Sequence, residues 1–277
     1  MDEHIIEALG KAKIVIKDGK IKEIGEAQIE YCPLFHKYRN IEKIDKKAIN
    51  ENINFRINDF GMCTPERELR MKDYLSFGIS EIISTLLDDE IIDSAIIVCE
   101  GCGTIIINEG ELVQGIGGRV SGLVKTSPIP EIISKIGKEN ILNSKTAKID
   151  QIEGLKLAIS KGYKNIAITI AIASDAIKIN EVKKENPNVN IYSFAVHTTA
   201  LTKKDAEDLF NNSDVITSCA SKYIREIGDN NSLKKVGQSI PIYARTEDGK
   251  RFLEKRLEKI GGEKSKKENP PIPDPLI

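Results

Sequence analysis

Tryptophan is absent from this chain, and aromatic residues supply only 5% of its 277 positions. Net charge is equally scarce: 41 Lys and Arg stand against 42 Asp and Glu, a formal balance of −1. That neutrality argues against a nucleic-acid binder working through bulk positive charge. No apolar run reaches the ~18 residues that a membrane span requires, so no membrane association is expected. Met1-Asp2-Glu3-His4 begins acidic and opens no long apolar stretch, so no secretory signal is expected and the location expected is cytoplasmic. Cysteine is sparse and odd in number, with five residues: Cys32, Cys63, Cys99, Cys102 and Cys219. Without export, an odd count excludes a disulfide framework as the organising device. The thiols are then either small buried apolar groups or ligands and nucleophiles. The bias toward Ile, Lys, Asn and Glu reads as coding background and carries no functional information.

What is present is a foldable mixture, 40% hydrophobic and 30% charged, which is that of a globular chain rather than a disordered one. The length fits one large domain or two small ones. Residues 1–45 read as an N-terminal hairpin and irregular segment, 46–145 as a first α/β half, 146–262 as a second, and 263–277 as a Pro-rich tail. In the first, Lys13 to Ile16 and Lys20 to Ile24 alternate apolar and polar about Asp18-Gly19, the pattern of a β-hairpin. Tyr31 to Phe35 reads as irregular, fixed by Pro33. Ile49, Ile53, Ile57 and Phe60 make one apolar stripe of a helix from about Lys46 to Phe60, ended by Gly61. Thr64-Pro65 looks like a new helix start, and Lys72 to Leu87 like another helix, weakened by Gly78. Arg67, Arg70 and Lys72 read as a solvated helix face.

From Ser94 the chain changes character. Ala95 to Val98 and Ile105 to Ile107 are short, continuously apolar runs, as in buried strands. Ser127 to Glu131 opens a helix to about Ile136. Farther on, helices and strands alternate: a helix from Asp150 to Gly162, a strand from Ile166 to Ile172, and a helix capped by Ser174. A strand from Asn190 to Val196 is followed by a capping box at Thr202-x-x-Asp205. A short strand from Asp214 to Ser218, another from Ser239 to Ala244, and a charged helix from about Glu247 to Ile260 complete the series. The fold class expected is α/β: a mostly parallel sheet flanked by helices, with an N-terminal β-hairpin.

In an open α/β sheet, ligands bind beyond the carboxyl ends of the parallel strands. Cys99 and Cys102 follow one such strand, Asp175 another, His197 with Thr198 and Thr199 a third, and Cys219 a fourth. Cys99-x-x-Cys102 on a glycine-containing turn has the spacing of a metal or cluster ligand pair. A redox dithiol and plain packing are the alternatives. A [4Fe–4S] cluster needs three or four thiolates, and Cys63, Cys99, Cys102 and Cys219 make the most plausible set, with Cys32 as the next candidate. Gly115, Gly117, Gly118 and Arg119 could hold an anion through backbone N–H groups and the guanidinium. The stretch nevertheless fits neither the dinucleotide nor the P-loop template, and a tight turn is the simpler reading. His197 could be a base or ligand or a hydrogen-bonded structural residue. His4 and His36 have less support. Asp175 could simply favour a helix N-terminus.

Several longer phrases resemble the methanogenesis marker protein 8 family. They are Tyr31-Cys32-Pro33-Leu34-Phe35, Asp59-Phe60-Gly61-Met62-Cys63-Thr64-Pro65, Leu75-Ser76-Phe77-Gly78-Ile79-Ser80-Glu81-Ile82-Ile83-Ser84, Val98-Cys99-Glu100-Gly101, Val113-Gln114-Gly115-Ile116-Gly117-Gly118-Arg119 and Lys125-Thr126-Ser127-Pro128-Ile129-Pro130. The likeness runs through most of the chain and is strongest before residue 135. It implies a cytosolic archaeal protein associated with methyl-coenzyme M reductase, whose nickel tetrapyrrole must be inserted and reduced. The partners implied are that enzyme or its activation and assembly proteins, and the cofactor implied is an iron–sulfur cluster. The family pattern commonly has a small apolar residue at Cys102, which makes Cys32, Cys63, Cys99 and Cys219 the better four ligands. Two other functions stay open: a small-molecule enzyme using Cys99 or Cys219 with His197, and a non-catalytic assembly protein whose tail, Pro270 to Pro275, docks a partner.

Overall fold

The computed structural model describes residues 2–73, 75–120, 122–263 and 267–277. Ser121 of the glycine-rich stretch, Tyr74 in the expected 72–87 helix and Lys264 to Lys266 at the head of the tail lie outside the described residues. The chain begins with β1 (Glu3–Ala8), β2 (Ala12–Lys17) and β3 (Lys20–Ile24), then α1 (Pro33–Arg39), α2 (Lys46–Phe60) and α3 (Ile79–Asp88). It continues through β4 (Ser94–Cys99), β5 (Gly103–Ile107), α4 (Gly110–Gly117), β6 (Gly122–Lys125), α5 (Pro130–Ile136) and α6 (Gln151–Ser160). The second half holds β7 (Asn165–Ile170), α7 (Ala173–Glu185), β8 (Asn190–Ala195), α8 (Lys203–Asn211), β9 (Val215–Thr217) and α9 (Lys222–Asn231), then β10 (Lys234–Val236), β11 (Ile242–Ala244) and α10 (Glu247–Lys259).

Two sheets form. The larger has the order β10-β11-β9-β8-β7-β4-β5, with β4, β7, β8 and β9 mutually parallel and antiparallel strands on both flanks. The smaller is antiparallel, in the order β3-β2-β1-β6. The α/β expectation and the hairpin both hold. Asp18 and Gly19 adopt φ 48° and 68°, the twist that suits a two-residue hairpin turn. β1 adds a third strand that the hairpin reading left out. Its residues alternate, with His4, Ile6 and Ala8 buried, and it pairs with β2 through six residues.

Helices α6 to α9 cover one face of the large sheet, sealing a core of Ile, Ala and Leu around Ile168 and Phe210. On the other face α3, α4, α5 and α10 enclose a second core that includes Phe194 and Phe252. The small sheet and α2 build a third core, which also takes in Val98, Ala220 and Ile240 from the large sheet's carboxyl end. The small sheet therefore sits over that end, the place where ligands bind in such folds.

Several local expectations give way, each for a visible reason. Tyr31 to Phe35 is not irregular throughout, because Pro33 opens α1 at its first position, where its missing N–H costs nothing. Thr64-Pro65 opens no helix: Thr64 Oγ1 donates back to the Gly61 carbonyl at 2.9 Å, and the N–H of Glu68 returns to Phe60 at 2.9 Å. The helix expected from Lys72 begins only at Ile79. Ahead of it the backbone is bound by distant side chains, Glu81 accepting from the Leu75 N–H at 3.0 Å and Arg256 donating to the Ser76 carbonyl at 3.0 Å. Gly78 is thus the helix N-cap rather than a weak point within it. Ser174 lies inside the first turn of α7, whose cap is Ile172 with no side-chain bond. By contrast Asp45, Asp150, Thr202 and Thr246 each accept an N–H from the first turn of the helix that follows.

Candidate functional site

A cavity of about 1400 Å³ opens at the carboxyl edge of the large sheet. Its floor is the strand ends: Val98 in β4, Thr169 and Ile170 in β7 with Ala171 and Ile172 beyond it, Val196 and His197 after β8, and Thr217 in β9 with Cys219 beyond it. α1, the loop before α3, and Gly117 and Gly118 at the end of α4 form further walls. Its size exceeds the ~300–1,000 Å³ usual for small-ligand pockets. Asp175 lines it, and burial raises that carboxyl above its ordinary range despite Lys178 at 3.7 Å. Glu81, buried in the same wall, is raised for the same reason.

His197 is held from the small sheet. Its Nε2–H donates to Glu7 Oε2 on β1 at 2.6 Å, and the imidazole bond keeps the Glu7 carboxyl below its ordinary value. The ring lies against Gly122 of β6, where a Cβ would approach Nε2 within 2.6 Å and Cδ2 within 2.8 Å. The loops after β8 and β9 are bonded to each other: Thr198 Oγ1 donates to the Thr217 carbonyl at 2.7 Å, and the Ala220 N–H to Thr199 Oγ1 at 3.3 Å. They carry three non-glycine residues at positive φ, His197 at 59°, Ala200 at 57° and Cys219 at 42°. Such conformations cost energy unless the surroundings impose them, and they gather at functional sites. Glu7 and Gly122 escaped the sequence reading. The alternation of Glu3 to Ala8 would have revealed a strand with Glu7 on its outer side, but nothing local places that strand beside residue 197.

The cysteines divide. Cys63, Cys99 and Cys102 are fully buried, Cys32 nearly so, and Cys219 is partly exposed on the cavity wall. The Cys99-x-x-Cys102 turn joins antiparallel β4 and β5. It is packed on all sides: a Cβ at Gly101 would meet Ile129 at 2.8 Å, and one at Gly103 would meet the Ala147 carbonyl. Cys99 sits directly against the Cys102 thiol, and together with burial and the nearby Glu100 this drives its ionisation well above the ordinary thiol value. Burial first, then Glu100, does the same to Cys63. The thiol that bears on Cys32 is Cys219, not these three. Among the described residues no group of three or more His, Cys, Asp or Glu is placed to hold a metal ion. Among the described residues the five thiols therefore do not gather the three or four thiolates of one shared iron–sulfur site.

Arg67 is no part of a solvated face. It is completely buried, with Nε on Glu100, which is also completely buried, its Nη2 on the Gly115 carbonyl at 2.8 Å and its guanidinium 4.7 Å from the Phe60 ring centre. Arg70 does face solvent, paired with Glu109 at 2.9 Å. Gly115 and Gly117 lie in the last turns of α4, the end whose dipole repels anions. A Cβ at Gly115 would strike the Leu69 carbonyl, so this glycine serves close packing. Arg119 turns away from the cavity to Met71 Sδ at 2.9 Å and to Glu68 at 3.6 Å. His4 is buried between Thr126 at 2.6 Å and Asp2 at 2.7 Å, and His36 bonds Tyr31 at 3.0 Å.

The C-terminal segment docks on the chain itself. Asp274 pairs with Tyr31, its carbonyl accepting from the Glu30 N–H at 2.7 Å and its N–H donating to the Tyr31 carbonyl at 3.1 Å. Ile277 donates to the Ala220 carbonyl at 2.9 Å and accepts from the Lys222 N–H at 3.1 Å. Before these anchors Lys267, Pro270 and Pro271 complete the cavity wall. No helix among the described residues is long and apolar enough to cross a membrane.

The uncharacterized protein MJ0054 of Methanocaldococcus jannaschii is 42% identical to this chain over the full length of both. A family described as uncharacterized protein conserved in archaea, DUF2099, matches residues 4–258. The match spans both sheets and every wall of the cavity except the C-terminal strap. The chain belongs to this conserved archaeal family.

Proposed function

We propose that this protein binds a small organic ligand in its carboxyl-edge cavity, and that it does so as an accessory protein in the maturation or activation of methyl-coenzyme M reductase. The cavity carries the first part: about 1400 Å³, at the edge where α/β sheets bind ligands, walled by both sheets and the C-terminal segment. The motif resemblance to methanogenesis marker protein 8 supports the second, and names the reductase or its activation proteins as partners. The proposed function includes no resident iron–sulfur cluster, because among the described residues no three or more His, Cys, Asp or Glu are grouped as metal ligands. Anaerobic reconstitution followed by iron and sulfide counting is expected to leave background metal; stoichiometric iron that vanishes in Cys99→Ala would reverse that statement.

Val196→Trp offers the direct test, since it fills the cavity from a strand end. Wild-type protein added to a purified-component activation assay of the reductase is expected to raise the activated fraction, and the blocked variant to fail. Equal effects of the two proteins would sink the cavity reading. Catalysis on the bound ligand is the second reading. It is favoured by the bonded β8 and β9 loops, which present His197 and Cys219 to the same space.

A further inference from the structure

We infer that Glu7 and His197 form a proton-accepting dyad acting on a ligand that has an apolar body and a weakly acidic O–H or S–H group. The inference rests on the cavity being a ligand site. Four observations converge on it. The Nε2–H of His197 is committed to a carboxylate at 2.6 Å, which fixes the tautomer and leaves Nδ1 with a lone pair. Among the described residues Nδ1 has no protein partner. The ring is 20% exposed and lines the cavity, so a ligand can reach it. Finally, the ring occupies the space that any side chain at residue 122 would fill, so two strands of the small sheet, β1 and β6, serve to seat one residue of the large one.

A carboxylate behind an imidazole is the arrangement that orients a base and stabilises the imidazolium it becomes. The step balances simply. The ligand's O–H or S–H bond breaks, its proton passes to His197 Nδ1, and its electron pair stays on the ligand anion. Nε2–H remains bonded to the ionised Glu7. Lys11 is the other charge that bears on the Glu7 carboxylate, and its ammonium is tied to the Thr199 carbonyl at 3.0 Å. His197 is then the catalytic residue, while Glu7 and Gly122 are positioning residues. A mere clamp between the sheets needs no free ring nitrogen, no glycine under the ring and no histidine in the left-handed region.

The test uses the full chain and m-nitrophenol, an apolar-bodied acid weaker than an imidazolium and coloured in its ionised form. Calorimetry reads binding, and the visible phenolate band reads proton transfer, at a pH where the free probe is neutral. Wild-type protein is expected to bind the probe and to generate the phenolate band. His197→Asn, which tolerates a positive φ, should bind it in the colourless form. Glu7→Gln keeps a hydrogen-bond acceptor but loses the charge. It should bind with similar affinity and cut the bound phenolate fraction roughly tenfold, the effect of about one pK unit of lost stabilisation. Gly122→Ala should act in the same direction by displacing the ring. Probe that binds but stays neutral on the wild type overturns the dyad while leaving the cavity intact. Probe that gives the same band on His197→Asn also overturns it. Failure of the probe to bind at all sinks the cavity reading and the dyad with it.

Discussion

The carboxyl edge of the large sheet carries sulfur on two turns, and they are built in opposite ways. The Cys99-x-x-Cys102 turn is sealed. Its glycines bring in Ile129 and the Ala147 backbone, its thiols are fully buried, and its one charge, Glu100, is matched by a buried arginine. The loops carrying His197 and Cys219 are open. They adopt left-handed backbone at three non-glycine positions, line a large cavity and are bonded to each other rather than filled in behind. The first turn has the stronger sequence signal and the weaker chemistry. A thiol that must ionise in order to react is held protonated by burial beside a carboxylate. Spacing alone cannot distinguish a ligand loop from a tight hairpin, because both need glycine and small side chains between two strands.

The largest effect should come from opening the sealed turn. Arg67→Met strands Glu100, whose Oε2 already has no hydrogen-bond partner. A buried pair broken from one side typically costs about 3–5 kcal/mol, so urea unfolding should show a loss of that order. A loss under about 1 kcal/mol would mean that the pair is reached by water and the contrast between the turns is overstated. Next, iodoacetamide should label Cys219 on the native protein faster than the other four thiols by on the order of tenfold or more, with mass mapping as the readout. Equal labelling of Cys99 would erase the comparison. Deleting 267–277 removes the strap beside the open loops. The lost backbone bonds to Tyr31 and Ala220 should cost about 1–2 kcal/mol in thermal unfolding, and Cys219 should label faster still.

The smallest effect concerns Glu7. Its folded-state carboxyl lies below the ordinary value because His197 donates to it. The unfolded chain therefore takes up the proton first on acidification. The stabilisation is complete above the ordinary carboxylate value and disappears as pH falls through the lowered folded value. Glu7→Gln should cost about 1 kcal/mol or less near neutrality, and the gap to wild type should close in acid. A gap that widens in acid would contradict the Glu7–His197 hydrogen bond.

Where the sequence was legible, the signal was local. The apolar stripe of α2 buries Ile49 and Ile53, and Gly61 ends the helix at φ 73°; each link joins residues a few positions apart. Asp150, Thr202 and the Asp18-Gly19 turn worked for the same reason. The failures involve partners far along the chain. Arg67 reads as surface until Glu100 is placed against it, and the 72–78 stretch reads as helix until Glu81 and Arg256 claim its backbone. The tail composition read as a partner-binding or extended segment, and the partner turned out to be Tyr31 and Ala220 of the same chain. The candidate site was half legible. His197, Asp175 and Cys219 followed from strand ends, but Glu7 and Gly122 did not.

The sequence by itself determined the α/β class, the hairpin, the bounds of α2, α6 and α10 to within a residue or two and the strand ends where chemistry would gather, since periodicity, caps and turn residues act over a few positions. Only the tertiary structure decided which of those ends is open and which is sealed. That choice depends on what the small sheet, α5 and the C-terminal segment bring from many residues away. Burial and pairing, not residue type, then set whether a thiol or an imidazole can give up or take a proton.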